Sequence, residues 1–280
     1  GEERDAESGA DRHVARAVEH VVLGLVLRDA GLDERVEREE REQQTRDDDA
    51  GDEDVDGDRE PTDHPLPARH EAQAALEEKY PGAIALFWAG CGGDQNPIPR
   101  REVALAEHYG AELAARVGDV LKATMPELSP QLETHYREIA APLDTLPNLS
   151  QLKENAASHN RFEVARAKFL IRKLENQGSL EGSYPYPIGV WKLGKTIDFV
   201  FLGGEVVIDF ALRLKQERRG TSTWVAGYSN DVMAYIPSRR VLDEGGYEGG
   251  TSHVYYGLPS LWASTIEEDI VKAVHEIGKK

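Results

Sequence analysis

Three short runs in this 280-residue sequence hold residue types that could do chemistry. The first is Gly90-Cys91-Gly92-Gly93-Asp94-Gln95-Asn96-Pro97. Its glycines permit positive φ and let a ligand approach the main chain closely. Taken alone, the run reads as a tight turn capped by Asp94 or Asn96. It has neither the dinucleotide spacing nor the Lys-Ser/Thr ending of a phosphate loop, so a phosphate cradle is a weak reading. Nothing nearby supplies Cys91 with the base that a thiol nucleophile needs. The second run is Gly203-Gly204-Glu205, a lone carboxylate ahead of an apolar stretch. At a helix start it is either a residue favoured by the helix dipole or a metal ligand or acid/base group. The third, residues 227–252, is rich in Gly, Asn, Asp and Tyr and reads as a long loop. Long loops within domains are functional or disordered, and the aromatic content here argues for order. Tyr235 and Tyr247 are either packed rings with a wet hydroxyl or working phenols.

The elements that would position these loops are legible in part. His70 to Tyr80 has a helical pattern, stopped by Pro81-Gly82. Ala83 to Ala89 is a continuous apolar run, expected to be a strand buried on both faces. After the first loop, Arg101 to Lys122 repeats apolar residues helically, and Gln151 to Asn176 is expected to be another, charged helix. Tyr184-Pro185-Tyr186-Pro187 is expected to break the chain before two strands, Ile188–Lys192 and Thr196–Leu202, joined by a tight turn. A helix after Gly203-Gly204 would carry Val206, Val207, Phe210, Ala211 and Leu214 inward. A strand at Thr223–Tyr228 and a closing helix at Thr265–Ile277 complete an α/β order. The expected fold is a layered sandwich of helices around a mixed β-sheet, incomplete on its N-terminal side. Trp88, Trp191 and Trp224 read as core strand residues, and His108, His159 and His275 as surface or packing residues on helices.

Composition divides the chain near residue 65. Residues 1–64 hold 23 acids against 9 arginines, whereas 65–280 hold 28 acids against 24 bases. No aromatic ring of Phe, Trp or Tyr precedes Tyr80, and no lysine precedes Lys79. Residues 1–64 are therefore expected to be an acidic, disordered or non-native segment, and 65–280 the α/β domain. Within the segment, residues 13–29 keep a helix-compatible apolar pattern. That run is too short to span a bilayer, and it lacks the basic start of a signal peptide. The opening Gly leads us to expect that the native start is missing. The whole-chain charge of -18 would repel nucleic acid, but the excess sits in residues 1–64 and the domain has no strong electrostatic steer; no nucleic-acid partner is expected. A single cysteine excludes an intramolecular disulfide and a cysteine zinc cage.

Taken together and in order, the three loops resemble the neutral/alkaline non-lysosomal ceramidase family over roughly residues 70–280. That family carries a Gly-Asp-x-Ser-Pro loop after a strand, and Gly93-Asp94-Gln95-Asn96-Pro97 matches it with Asn96 in the place of the nucleophilic serine. The family's zinc is held partly by a Glu in a Gly-Glu helix start, matched by Glu205, and by a Tyr in an Asn-rich loop, matched by Tyr235. A second active-site Tyr before Glu-Gly is matched by Tyr247, ahead of Glu248-Gly249. The resemblance implies hydrolysis of an amide in a small, lipid-like N-acyl substrate, with zinc polarising the carbonyl and phenols stabilising the oxyanion. Glu205 and Tyr235 would be the metal ligands and Tyr247 an oxyanion donor. Asn96 would serve as a catalytic hydrogen-bond donor, and Gly93 and Asp94 as substrate-binding residues. The family's two zinc histidines and a substrate-facing arginine lie upstream, and nothing in residues 1–64 resembles them. His13, His20, His64 and His70 are not assigned as ligands. A catalytically silent ligand-binding relative and a hydrolase of another acyl amide or ester remain alternatives. The family's extracytoplasmic habit implies export of the full-length protein.

Overall fold

The computed structural model describes residues 22–27 as backbone and 68–277 in full. The acidic stretch, His13, His20, His64 and most of the apolar stretch 13–29 lie outside the described residues. By packing, the described residues divide into two units: 88–97 with 125–277, and 23–27 with 68–87 and 98–124.

The smaller unit pairs strand β1 (Val22–Leu27) with β2 (Ala83–Trp88) and adds helices α1 (Ala68–Lys79) and α2 (Val103–Lys122). Residues 22–27 form a strand where the sequence suggested a helix. A short valine and leucine run fits either period, and pairing with β2 decides it. Nor is β2 buried on both faces, because Leu86 is 54% exposed. Side chains of α1 meet its backbone at Ala85: Gln73 Nε2 donates to Ala85 O at 2.6 Å, and Ala85 N donates to Glu77 Oε1 at 2.9 Å. An apolar run thus marks a strand here without marking a central one. The helices touch at Gly110, where a Cβ would lie 2.4 Å from Glu71 Cβ and 2.7 Å from Ala68 O.

In the larger unit, a four-stranded sheet runs in the order β3 (Leu132–Pro142), β4 (Ser183–Leu193), β5 (Ile197–Leu202), β7 (Ser222–Ala226). The first three strands are antiparallel, and β5 and β7 are parallel. Between β3 and β4 come helices α3 (Leu149–Asn155) and α4 (Arg161–Gln177). The single helix expected over 151–176 is interrupted because Asn160 caps α4 by accepting from Phe162 N, which leaves His159 in the break. The sequence reading missed β3, whose residues, apart from Ala141, are partly or fully exposed and show little apolar alternation.

Tyr184 to Pro187 lies inside β4 instead of breaking the chain. These residues pair with β3, while the β5 ladder begins only at Ile188, so the prolines sit past the end of one neighbour. After β5 come the short strand β6 (Glu205–Val206) and helix α5 (Ile208–Glu217), which leads to β7. Beyond β7, strand β8 (Tyr235–Ile236), helix α6 (Arg239–Glu244), a π-turn (Tyr247–Thr251), α7 (His253–Tyr256) and α8 (Ile266–Glu276) follow.

The core joins Ile188 and Val190 of β4 and Val200 and Leu202 of β5 to Phe210 and Leu214 of α5 and to Ile270 and Val274 of α8. The opposite sheet face is aromatic: Trp88, Phe199, Phe201, Trp191 and Trp224 form a chain of ring contacts. Trp191 is 44% exposed, so it is a strand residue but not a core one. The described fold is α/β, with helices packed on a mixed sheet.

Candidate active site

The chain leaves β5 through Gly203-Gly204. Gly204 has φ +76°, and a Cβ there would lie 2.6 Å from Ile236 Cγ1 and 2.7 Å from Ala234 O, so only glycine fits. Glu205 follows in β6 and not, as expected, at a helix start. Its backbone N donates to Ala234 O at 2.8 Å, and that ladder keeps residues 205–206 extended until α5 begins at Ile208.

The β6 and β8 strands are parallel, with Glu205 opposite Tyr235 and Val206 opposite Ile236. Val206 and Ile236 are fully buried. Because side chains alternate along a strand, this pair fixes Glu205 and Tyr235 together on the other face. Trp262 Nε1 donates to Tyr235 O at 2.8 Å and anchors the second strand.

The first loop docks on the same strand. Gly93 N donates to Val206 O at 2.9 Å, and a Cβ on Gly93 would lie 2.6 Å from Glu205 O. Asp94 Oδ1 accepts from Ile208 N at 2.8 Å. It thereby caps α5, whose own N-cap Val207 has no side-chain acceptor, and it places negative charge at the positive end of the helix dipole. Taken alone, the loop was expected to be a tight turn capped by Asp94 or Asn96; in the fold Asp94 caps a helix 114 residues downstream.

Tyr247 opens the π-turn. Ser252 N donates to Tyr247 O at 3.0 Å across five residues, after Gly245 and Gly246 at φ +72° and +70°. Residues 227–252 are therefore not an irregular loop throughout, since β8, α6 and this turn lie within them. The Tyr247 ring is 5.5 Å from that of Tyr235 at 72°, and the Tyr256 ring is 6.2 Å from Tyr235 at 78°.

The Glu205 carboxylate is ringed by phenols. Tyr256 Oη donates to Oε1 and Tyr228 Oη donates to Oε2 at 3.5 Å, while the Tyr235 phenol lies within range of the Glu205 charge. Burial, and then these contacts with the Glu205 charge, push the phenols up: Tyr228 to about 12, and Tyr235 and Tyr256 also above the usual phenol range. All three therefore stay protonated near neutral pH, and Tyr228 and Tyr256 donate to the carboxylate. Sequence reasoning did not single out Tyr228 or Tyr256. The signals were faint: Tyr228 is one phenol in the long run, and Tyr256 lies beyond it in Tyr255-Tyr256.

Two solved structures that the chain resembles are ceramidases. Neutral ceramidase from Pseudomonas aeruginosa aligns with 14% identity and a TM-score of 0.46, over 74% of this chain and 39% of that one. A structure titled ceramidase complexed with C2 aligns with 12% identity and a TM-score of 0.39, over 64% and 36% of the respective chains. The chain thus spans under two fifths of either, and likeness at this level carries no argument about activity. The sequence matches no family model, and no curated protein matches it significantly.

The expected ligands Glu205 and Tyr235 are neighbours, with Tyr247 beside them, while Asn96 is exposed and no hydrogen bond ties it to that cluster. Among the described residues, no group of three or more His, Cys, Asp or Glu side chains could hold a metal. Zinc takes three or four protein ligands. One carboxylate with protonated phenols does not make such a set, so the described residues alone do not fit zinc. Beside Tyr235 a recess of about 10 Å³, bordered by Glu248, Ser252, His253 and Trp262, has room for one water and not for an acyl chain. Cys91 is 1% exposed, and burial pushes its thiol up to about 12, which removes it as a nucleophile. Among the described residues no helix is long and apolar enough to cross a membrane.

Proposed function

We propose that the chain carries part of the active site of an acyl-amide hydrolase of the neutral-ceramidase kind, with a small lipid-like N-acyl substrate. The observation that carries this reading is the register pairing of Glu205 with Tyr235, with Tyr247 against Tyr235. Of the residues that the motif resemblance selects, Glu205 from the second run and Tyr235 and Tyr247 from the third share one strand pair and the turn against it. In this reading the Tyr247 hydroxyl, on a ring that is 47% exposed, donates to the oxygen that gains charge when the amide carbonyl is attacked. The Gly93-Asp94 loop holds the Glu205 strand in place, and Asn96 offers an amide donor from the loop tip. Water adds to the carbonyl carbon, the C–N bond breaks, and the products are a carboxylic acid and an amine. A zinc ion belongs to this reading only with ligands beyond the described residues.

Elemental analysis of the purified full chain, beside Glu205→Ala and with turnover of a short-chain N-acyl amine, tests the reading. About one zinc per chain, lost in the variant together with hydrolysis, is the expected outcome. Absence of zinc and of turnover in the parent would sink it. The second reading, a catalytically silent relative, is favoured by Asn96 at the serine position and by the incomplete donor set.

A further inference from the structure

The phenol cluster has a chemistry of its own. Among the described residues no ion pair reaches Glu205, and its carboxylate meets only phenols. An ionised carboxylate has room for about four hydrogen bonds. Here Oε2 accepts one long contact of 3.5 Å, so the carboxylate retains accepting capacity. Each phenol oxygen that donates to Glu205 also keeps lone pairs of its own. Glu205 and the hydroxyls of Tyr228 and Tyr256 thus form a convergent set of oxygen acceptors with a single negative charge.

A divalent metal matches this set poorly, since hard cations take six or more oxygens and one carboxylate leaves half the charge uncompensated. A quaternary ammonium needs ring faces around it, whereas these tyrosines present hydroxyls to the carboxylate. A primary ammonium has three donors, no acceptor and one positive charge, which is the complement of the set.

We propose that Glu205 with Tyr228 and Tyr256 forms a binding site for a primary alkylammonium group. The T-shaped packing of Tyr247 and Tyr256 on Tyr235 holds the phenols around the carboxylate, and the partial exposure of Tyr228 and Tyr247 leaves the site open to solvent. The inference stands on this geometry and not on the hydrolase reading, although an amine released from an amide is a ligand of the class it selects.

The test is calorimetric titration of the full chain, treated with a chelator, with n-butylammonium chloride and with n-butyltrimethylammonium chloride at equal ionic strength. Saturable binding of the primary amine, at least tenfold tighter than the quaternary one, is expected. Glu205→Gln should weaken it by tenfold or more. Tyr228→Phe, which removes one oxygen and keeps the ring, should weaken it a few fold, with circular dichroism confirming that both variants fold. No saturable binding, equal binding of the two cations, or undiminished binding to folded Glu205→Gln overturns the site. Zinc content and amide turnover are separate readouts, so this site can fail while the hydrolase reading stands, and the reverse.

Discussion

The two units are held together by different means. The α1 and α2 pair closes by subtraction: Gly110 has no side chain, and Leu76, Ala85 and Ala114 fill a small core beside it. The polar side chains beside it, Gln73 and Glu77, are taken up in tying α1 to the Ala85 backbone. The Glu205 junction also rests on glycines, but it uses close approach to gather backbone ladders around a carboxylate. Gly93 reaches Val206, Gly204 admits Ile236, and Glu205 N reaches Ala234. The lesson is that tight glycine packing is common to both regions, while the polar residue delivered by the packing belongs only to the second.

Gly204→Ala should break the junction with the largest effect. Alanine at φ +76° costs about 1–2 kcal/mol from backbone strain alone. The added Cβ would also meet Ile236 Cγ1 at 2.6 Å and Ala234 O at 2.7 Å, for a total of about 3 kcal/mol or more. Denaturant unfolding should show a lowered midpoint. Hydrogen exchange should show faster exchange of the Glu205 and Val207 amides, which donate to Ala234 O and Ile236 O. An unchanged midpoint would mean that the junction is looser than described.

Gly110→Ala is the matching change in the helix pair and should cost less. The Cβ would stand 2.4 Å from Glu71 Cβ and force the helices apart, at about 1–3 kcal/mol. Against this, alanine inside a helix gains up to about 1 kcal/mol over glycine. The net loss should be about 1–2 kcal/mol, read as faster exchange in α1 and α2 while the Glu205 amide keeps its protection. If both units lose protection together, the contrast between them fails.

Legibility in the sequence did not follow this division. The helices α2, α5 and α8 have strong periodicity and were readable to within a few residues, and the glycine turn marked where β4 meets β5, but the Ser183–Pro187 start of β4 was read as a chain break. Strand β3 was not, because its side chains are largely exposed and no period marks it. The helix start expected at Glu205 was instead a strand pair, since the pairing partner, Tyr235, lies 30 residues away and no local pattern announces it. Motif order did put Glu205, Tyr235 and Tyr247 on one list before any geometry joined them. It did not find Tyr228 or Tyr256, whose role comes only from where their hydroxyls end up. Asp94 was read as a local cap because its target, Ile208 N, is remote in the chain.

Cys91 gives the finest probe of the contrast, with the smallest energetic effect. It is the chain's single cysteine, it lies in the loop that docks on β6, and it belongs to the larger unit. Burial raises its thiol from 9.0 to about 12, so the folded state favours the protonated form. Its contribution to stability is therefore fully present below about pH 9 and is lost as pH rises toward 12. At pH 9 an exposed thiol would be half ionised and would alkylate readily, whereas Cys91 should react only when the larger unit opens. Alkylation by iodoacetamide, followed by mass spectrometry, should be slow in the parent and in Gly110→Ala, and fast in Gly204→Ala. Equal rates in the two variants would mean that the loop carrying Cys91 opens without regard to which unit is disturbed, and that the junction and the helix pair are one cooperative body.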